Sequence, residues 1–211
     1  MRSKEEEIVN AYTHLLWCIL TAVLLGIFLI DGKIEPRFKT ASLFMLGLSS
    51  WTFFSSYLYH SSDSKKKTRN REVDKASIFL MIAGCGVSIN MAFLDQFVSA
   101  LSCSIILALS SLLIAIYTYK KEPSEVFSVT SYVLLGWLCV LPLTGILGEN
   151  LYQDTINTHL VILGGILYSA GILYYARDSI KWNHTRWHFF VMAGFFTHIV
   201  AHFRVVYTGL Y

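Results

Sequence analysis

Seven runs of apolar residues, at roughly 11–30, 40–60, 75–95, 98–119, 126–147, 157–176 and 185–207, follow one another with little chain between them. Each is near the ~20 residues that a helix needs to cross the hydrocarbon core of a bilayer. Backbone polar groups inside lipid must bond within their own segment, so runs of this length commit the chain to helices. Of its 211 residues 55% are hydrophobic and only 15% charged, which leaves almost nothing for a soluble domain. The expected fold is an all-α integral membrane protein: one domain over residues 1–211, a bundle of seven transmembrane helices.

The first run follows Glu5-Glu6-Glu7 rather than a basic segment and has no small-residue cleavage site, so it is expected to remain as a helix. Counting the basic residues side by side sets the orientation. Arg2, Lys4, Lys65, Lys66, Lys67, Arg69, Arg71, Lys75, Lys120, Lys121, Arg177, Lys181 and Arg186 share the N-terminal side, against Lys33, Arg37, Lys39 and Arg204 on the other. Basic residues concentrate on the cytoplasmic side of membrane proteins, so the N-terminus is expected inside and the C-terminus outside. The net charge of +3 says little by itself, and membrane lipids, not nucleic acid, are the expected partners. Cys18, Cys85, Cys103 and Cys139 fall in four different runs without a CxxC pair, and are expected to pack as free thiols.

Polar side chains inside such runs need a reason. His184 and His188 lie four apart, hence on one helix face with Cβ atoms roughly 5–6 Å apart. Odd-numbered runs start inside and even-numbered runs end inside, so His60, Asp74, His184 and His188 all fall at one depth, at the cytoplasmic ends of the second, third and seventh helices. Three histidines leave a tetrahedral Zn2+ one open position for water, the pattern of catalytic sites, although three imidazoles suit several divalent metals. Asp74 can also cap the third helix, and both roles are compatible. His198 and His202 repeat the spacing but start ~15 Å farther along the helix, and are expected to hydrogen-bond between helices. Asn10 and His14 are expected to bond neighbouring helices, and His159 to be an interface residue at the outer end of the sixth. The basic stretch 63–72 reads as a solvated cytoplasmic loop facing anionic headgroups. Gly84, Gly86 and Ser88, and Gly164, Gly165, Ser169 and Gly171, read as close-packing positions. Pro123 suits a first helical turn and Pro142 should kink its helix.

Five stretches together carry a family resemblance over nearly the whole chain: EEEIVNAYTH, SSYLYHSS, VDKASIFLMIAG, LVILGGILYSAGILYYA and HTRWHFFVMAGFFTH. The sequence resembles the hemolysin-III-like branch of the progestin and adipoQ receptor superfamily, which includes adiponectin receptors and is related to alkaline ceramidases. That resemblance implies seven helices, a zinc held by His60, His184 and His188, and Ser56 and Asp74 in the polar shell around its water. It also implies a link to hydrolysis of lipid amides, and the compact chain is similar to bacterial members, placing it in a bacterial inner membrane. Lys75 stands where similar sequences often have His, and Val87-Ser88-Ile89-Asn90 where they often have Thr-Pro. Both departures leave the ligands untouched and bear on cavity shape and substrate choice.

The leading functional expectation is a zinc-dependent intramembrane hydrolase of a lipid amide or ester, with Asp74 handling the proton and Ser56 holding the water or the oxyanion. The alternative is a membrane sensor or receptor in which zinc is structural. A pore or cytolysin comes third, because no span carries a continuous polar face.

Overall fold

The computed structural model describes residues 2–120, 123–144 and 155–208, and every regular element among them is helical. Helix α1 (Lys4–Ile30) opens on a reciprocal cap in which the Ser3 hydroxyl accepts from the Glu6 amide and the Glu6 carboxylate accepts from the Ser3 amide. The second apolar run is built from α2 (Pro36–Ser42), a π-helical turn (Leu43–Gly47) and α3 (Leu48–Ser61) in unbroken succession. Then follow α4 (Ser64–Phe93), α5 (Gln96–Lys120), α6 (Glu125–Val140), α7 (Thr155–Tyr175) and α8 (Asn183–Thr208). Among the described residues six helices are each long and apolar enough to cross a membrane: α1, α4, α5, α6 with its extension to Leu143, α7 and α8. The second run is cut by its π turn and is not one uninterrupted α-helix of that length.

Burial identifies α4 as the central rod. In its most apolar 18-residue window 72% of residues are buried, against 17% in α1 and 22% in α5. The outward faces of those two carry large apolar side chains, among them Leu16, Val23, Leu101 and Leu112, as lipid contact requires. Lipid tails give helices no hydrophobic reason to associate, so close backbone approach has to supply the contact. A Cβ on Gly84 of α4 would lie 2.5 Å from the carbonyl oxygen of Phe44 in the π turn, so only glycine permits that approach. In α7 a Cβ on Gly164 would strike the ring of His198 in α8. A continuous core cluster that includes Phe28, Met45, Phe53, Val161, Phe195 and Val205 ties α1, the π turn, α3, α7 and α8 together.

Several expectations about local structure change. The basic stretch 63–72 is not a loop: Asp63 caps α4 by accepting from the Lys66 amide, and the Lys, Arg and Glu that follow are good helix formers with no Gly or Pro to stop them. Asp74 consequently sits three turns inside α4 and is not its cap. Pro123 precedes the Ser124 cap of α6 rather than lying in its first turn. Pro142 lies in a 3-10 turn, Leu141–Thr144, where the α-helix has already ended. Lys121 and residues 145–147 of the fifth run lie outside the described residues. Cys18, Cys85, Cys103 and Cys139 are free thiols, as expected.

Candidate metal centre

The last turn of α3 and the first turns of α8 meet at one end of the bundle. The chain enters α8 through Trp182, whose φ of 66° is left-handed and therefore needs support from outside the turn. The Trp182 amide donates to the Glu6 carboxylate, so the residue that caps α1 also pins the entry to α8. Inside that junction His60, His184 and His188 are buried at 4, 6 and 3% exposure, and one ring nitrogen from each lies within 4.8 Å of the other two. Among the described residues no other trio of His, Cys, Asp or Glu converges in this way.

The chemistry of these nitrogens fits a metal. His60 Nε2 is buried and has no hydrogen-bond partner among the described residues, which for a polar atom away from water is costly unless something binds it. His184 Nε2 and His188 Nε2 face each other at 3.1 Å, close to the roughly 3.3 Å between two nitrogens that share a tetrahedral ion at ~2.0–2.1 Å. The other nitrogens of two of the rings are engaged from outside. Glu7 Oε2 lies 2.7 Å from His60 Nδ1 and is held by Lys67 at 2.9 Å. Asp178 Oδ1 lies 3.2 Å from His184 Nδ1, while Arg2 donates to Asp178 Oδ2 at 2.7 Å and to the Tyr59 hydroxyl at 3.0 Å. Burial opposes ionisation of Asp178, but its hydrogen bonds with His184 and Arg2 outweigh that and hold the carboxyl below the usual range.

Sequence reasoning missed these outer partners. Glu7 entered it only as a sign that the first run is no leader, and Arg2 only as a count toward orientation. It also missed the position of His14, whose ring stacks on His188 at 3.9 Å and meets Phe53 edge-on, with both nitrogens unpartnered. His14 packs on its neighbours without bonding to them, whereas Asn10 does bond, accepting from the Thr185 hydroxyl of α8 at 2.7 Å.

A cavity of about 710 Å³ begins at this end, where His14, Ser56, Asp74, His184 and His188 line it. Farther in, its walls are mainly apolar, with Met81, Ile82, Ile89, Val133, Val140 and Val191 among them. Asp74 is half-buried, facing this space, and the Ser56 hydroxyl is near enough to interact with its carboxylate. Asp74 is not a member of the converging trio. Lys75 is buried and ion-paired with Glu125 of α6, which also binds Arg71 at 3.1 Å and the Tyr175 hydroxyl at 2.6 Å. That clasp ties α4, α6 and α7 together at the cavity mouth. The second histidine pair behaves as expected: His202 contacts Ser42 and Ser88, and His198 donates to the Val161 carbonyl. His159 is exposed in the first turns of α7, away from this junction.

The sequence model of the family described as Haemolysin-III related matches residues 2–199, a span that holds the whole junction. Among curated proteins, "Hemolysin-3" of Bacillus cereus is 28% identical over 195 residues, covering 90% of this chain and 87% of that protein. "Hemolysin-3 homolog" of Bacillus subtilis (strain 168) is 28% identical over 197 residues, covering 90% and 89%. Apolar helices of spanning length, a buried histidine trio and this match over residues 2–199 make the chain a membrane protein belonging to the Haemolysin-III related family.

Proposed function

We propose that this protein is a zinc-dependent intramembrane hydrolase of a lipid amide or ester, a single domain of seven spans in a bacterial cell membrane with its N-terminus in the cytoplasm. The observation that carries the reading is the convergence of three buried imidazoles, two of which line the polar end of a cavity whose deeper walls are mainly apolar. His60, His184 and His188 would hold the ion, through Nε2 in each case. The chemistry such an ion supplies is Lewis acidity, polarising a carbonyl and acidifying a water near neutral pH.

The residues around the trio suit the rest of the reaction. Asp74 faces the cavity beside Ser56 and is placed to take the proton of an attacking water and return it to the departing amine or alcohol. Ser56, through its hydroxyl, orients that carboxylate or donates to the developing oxyanion. Water and the lipid amide then leave as a fatty acid and an amine. Apolar walls accept an acyl chain, with membrane lipid as the source. The seventh span in this reading is the continuous helical run from Pro36 to Ser61, long enough to cross at ~1.5 Å per residue, and the inside position of the N-terminus follows from the basic residues.

The test is a hydrolysis assay on the purified protein over ceramides, acyl amides, lysolipids and phospholipids, before and after chelation and with Zn2+ restored. Product that disappears with the metal and returns with zinc is the expected result. A panel that stays silent while the protein carries stoichiometric metal refutes the hydrolase and leaves the sensor with a structural ion.

A further inference from the structure

We infer that Glu7 and Asp178 are positioning residues that accept the Nδ1 hydrogens of His60 and His184 when Nε2 of each is given to a metal; the inference rests on the metal-site reading above. A carboxylate can only accept a hydrogen bond. With Glu7 Oε2 at 2.7 Å from His60 Nδ1, the ring hydrogen belongs on Nδ1, and the lone pair on Nε2. That is the nitrogen left buried without a partner.

His184 poses a sharper choice, because its Nδ1 has two suitors. Asp178 Oδ1 stands 3.2 Å away and Arg2 Nη2 3.0 Å away. Were Arg2 to donate to Nδ1, the ring hydrogen would sit on Nε2, toward His188 at 3.1 Å, and a proton would occupy the place of a metal bond. Arg2 gives Nε to Asp178 Oδ1 at 3.3 Å and one Nη2 hydrogen to Oδ2 at 2.7 Å, which leaves its second Nη2 hydrogen for Nδ1 of the metal-free ring. The guanidinium grips the carboxylate in a fork, and a metal on Nε2 would put the ring hydrogen on Nδ1, where Asp178 Oδ1 at 3.2 Å can accept it and the guanidinium cannot. Lys67 holds Glu7 in the same sense. Arg2 and Glu7 come from residues 2–7, Asp178 from the turn between α7 and α8 and Lys67 from the start of α4. Histidine ligands whose outer nitrogen is fixed in this way are better oriented and more basic, and outer partners are typically worth 10–100-fold in metal affinity.

The experiment measures Zn2+ affinity of the detergent-purified full chain by competition with a chromogenic chelator, beside the unfolding midpoint of the metal-free protein. Glu7→Gln and Asp178→Asn should each weaken binding about 10–100-fold, Asp178→Asn the more, since its amide can turn a donor toward Nδ1 and impose the wrong tautomer. The comparator is His202→Ala, which removes the bonds to Ser42 and Ser88 about 21 Å along α8 from His188; it should lower the midpoint and leave affinity as it was. Ring ¹⁵N shifts of the wild type, read near pH 8.5 where imidazole is neutral, need no variant and should show hydrogen on Nδ1 of His60 without metal and on Nδ1 of both His60 and His184 with zinc bound. Hydrogen on Nε2 of metal-free His60 overturns the inference, as does wild-type affinity in both carboxylate variants. A wild-type chain that takes up no zinc sinks the metal reading itself, a different failure.

Discussion

His188 and His202 lie on one helix, and replacing each by alanine should separate metal content from stability. At 2% exposure His202 is deep in the bundle. The Ser42 hydroxyl gives its hydrogen to the Phe38 carbonyl at 2.8 Å, so it must accept from His202 Nε2 at 2.8 Å. His202 Nδ1 is then left to accept from the Ser88 hydroxyl at 3.1 Å. His202→Ala forfeits both bonds, at ~0.6–1.5 kcal/mol each, and vacates a ring-sized space, for a total of about 2–4 kcal/mol. The unfolding midpoint should fall by ~2–4 °C for each of those kcal/mol in a chain of this size, with metal content unchanged. His188 is the reverse case. Its Nδ1 has no partner and its ring stacks on His14, so alanine removes a contact but also an unsatisfied buried nitrogen. Metal-free stability should stay within ~1 kcal/mol of wild type while stoichiometric metal is lost. Elemental analysis after desalting and circular-dichroism melts in chelator read the two quantities. Metal lost from His202→Ala, or retained by His188→Ala, would falsify the assignment of the trio.

Three further outcomes are expected. Asp74→Asn should keep its metal and lose hydrolysis by ~10²-fold or more, because an amide accepts a hydrogen bond but not a proton; turnover near wild type on the lipid panel removes Asp74 from the reaction. Gly164→Ala drives a Cβ into His198 and to 2.7 Å from the Thr197 hydroxyl, forcing α7 off α8 at a cost of about 1–3 kcal/mol; metal content should not change, and an unchanged melting midpoint counts against the packing shown. Cysteines placed at Lys66 and at Lys33 should differ toward an impermeant reagent on intact cells, only the second reacting, and the opposite pattern inverts the proposed orientation.

The helices were legible because hydropathy over about twenty residues is a strong signal, and where the sequence misled, the cause is local. Leu43–Gly47 reads LFMLG, apolar and free of proline, so nothing in it marks a π turn. What distinguishes the segment is tertiary: the Phe44 carbonyl rests against Gly84 of α4, a neighbour forty residues away in sequence. The start of α4 was hidden for the opposite reason. Asp63, a capping residue, stood in plain sight, but the lysines after it read as solvent-facing charge and drew the boundary down to Asp74.

The site divides along the same line. That His60, His184 and His188 would meet follows from the four-residue repeat of a helix and from counting which helix ends share a side, both properties of apolar runs. Glu7, Asp178 and Arg2 lie outside those runs, and their approach depends on a left-handed Trp182 held by Glu6, which no periodicity encodes. The acids gathered at this end are thereby sorted by what they hold. Glu7 takes His60 and Lys67, Asp178 takes His184 and Arg2, and Glu125 takes Lys75, Arg71 and Tyr175. Asp74 is left beside Ser56 on the cavity wall, clasped by neither lysine nor arginine among the described residues. On the proposed reading this carboxylate, spared from structural pairing and facing the cavity that His184 and His188 also line, is the acid that exchanges a proton with a ligand.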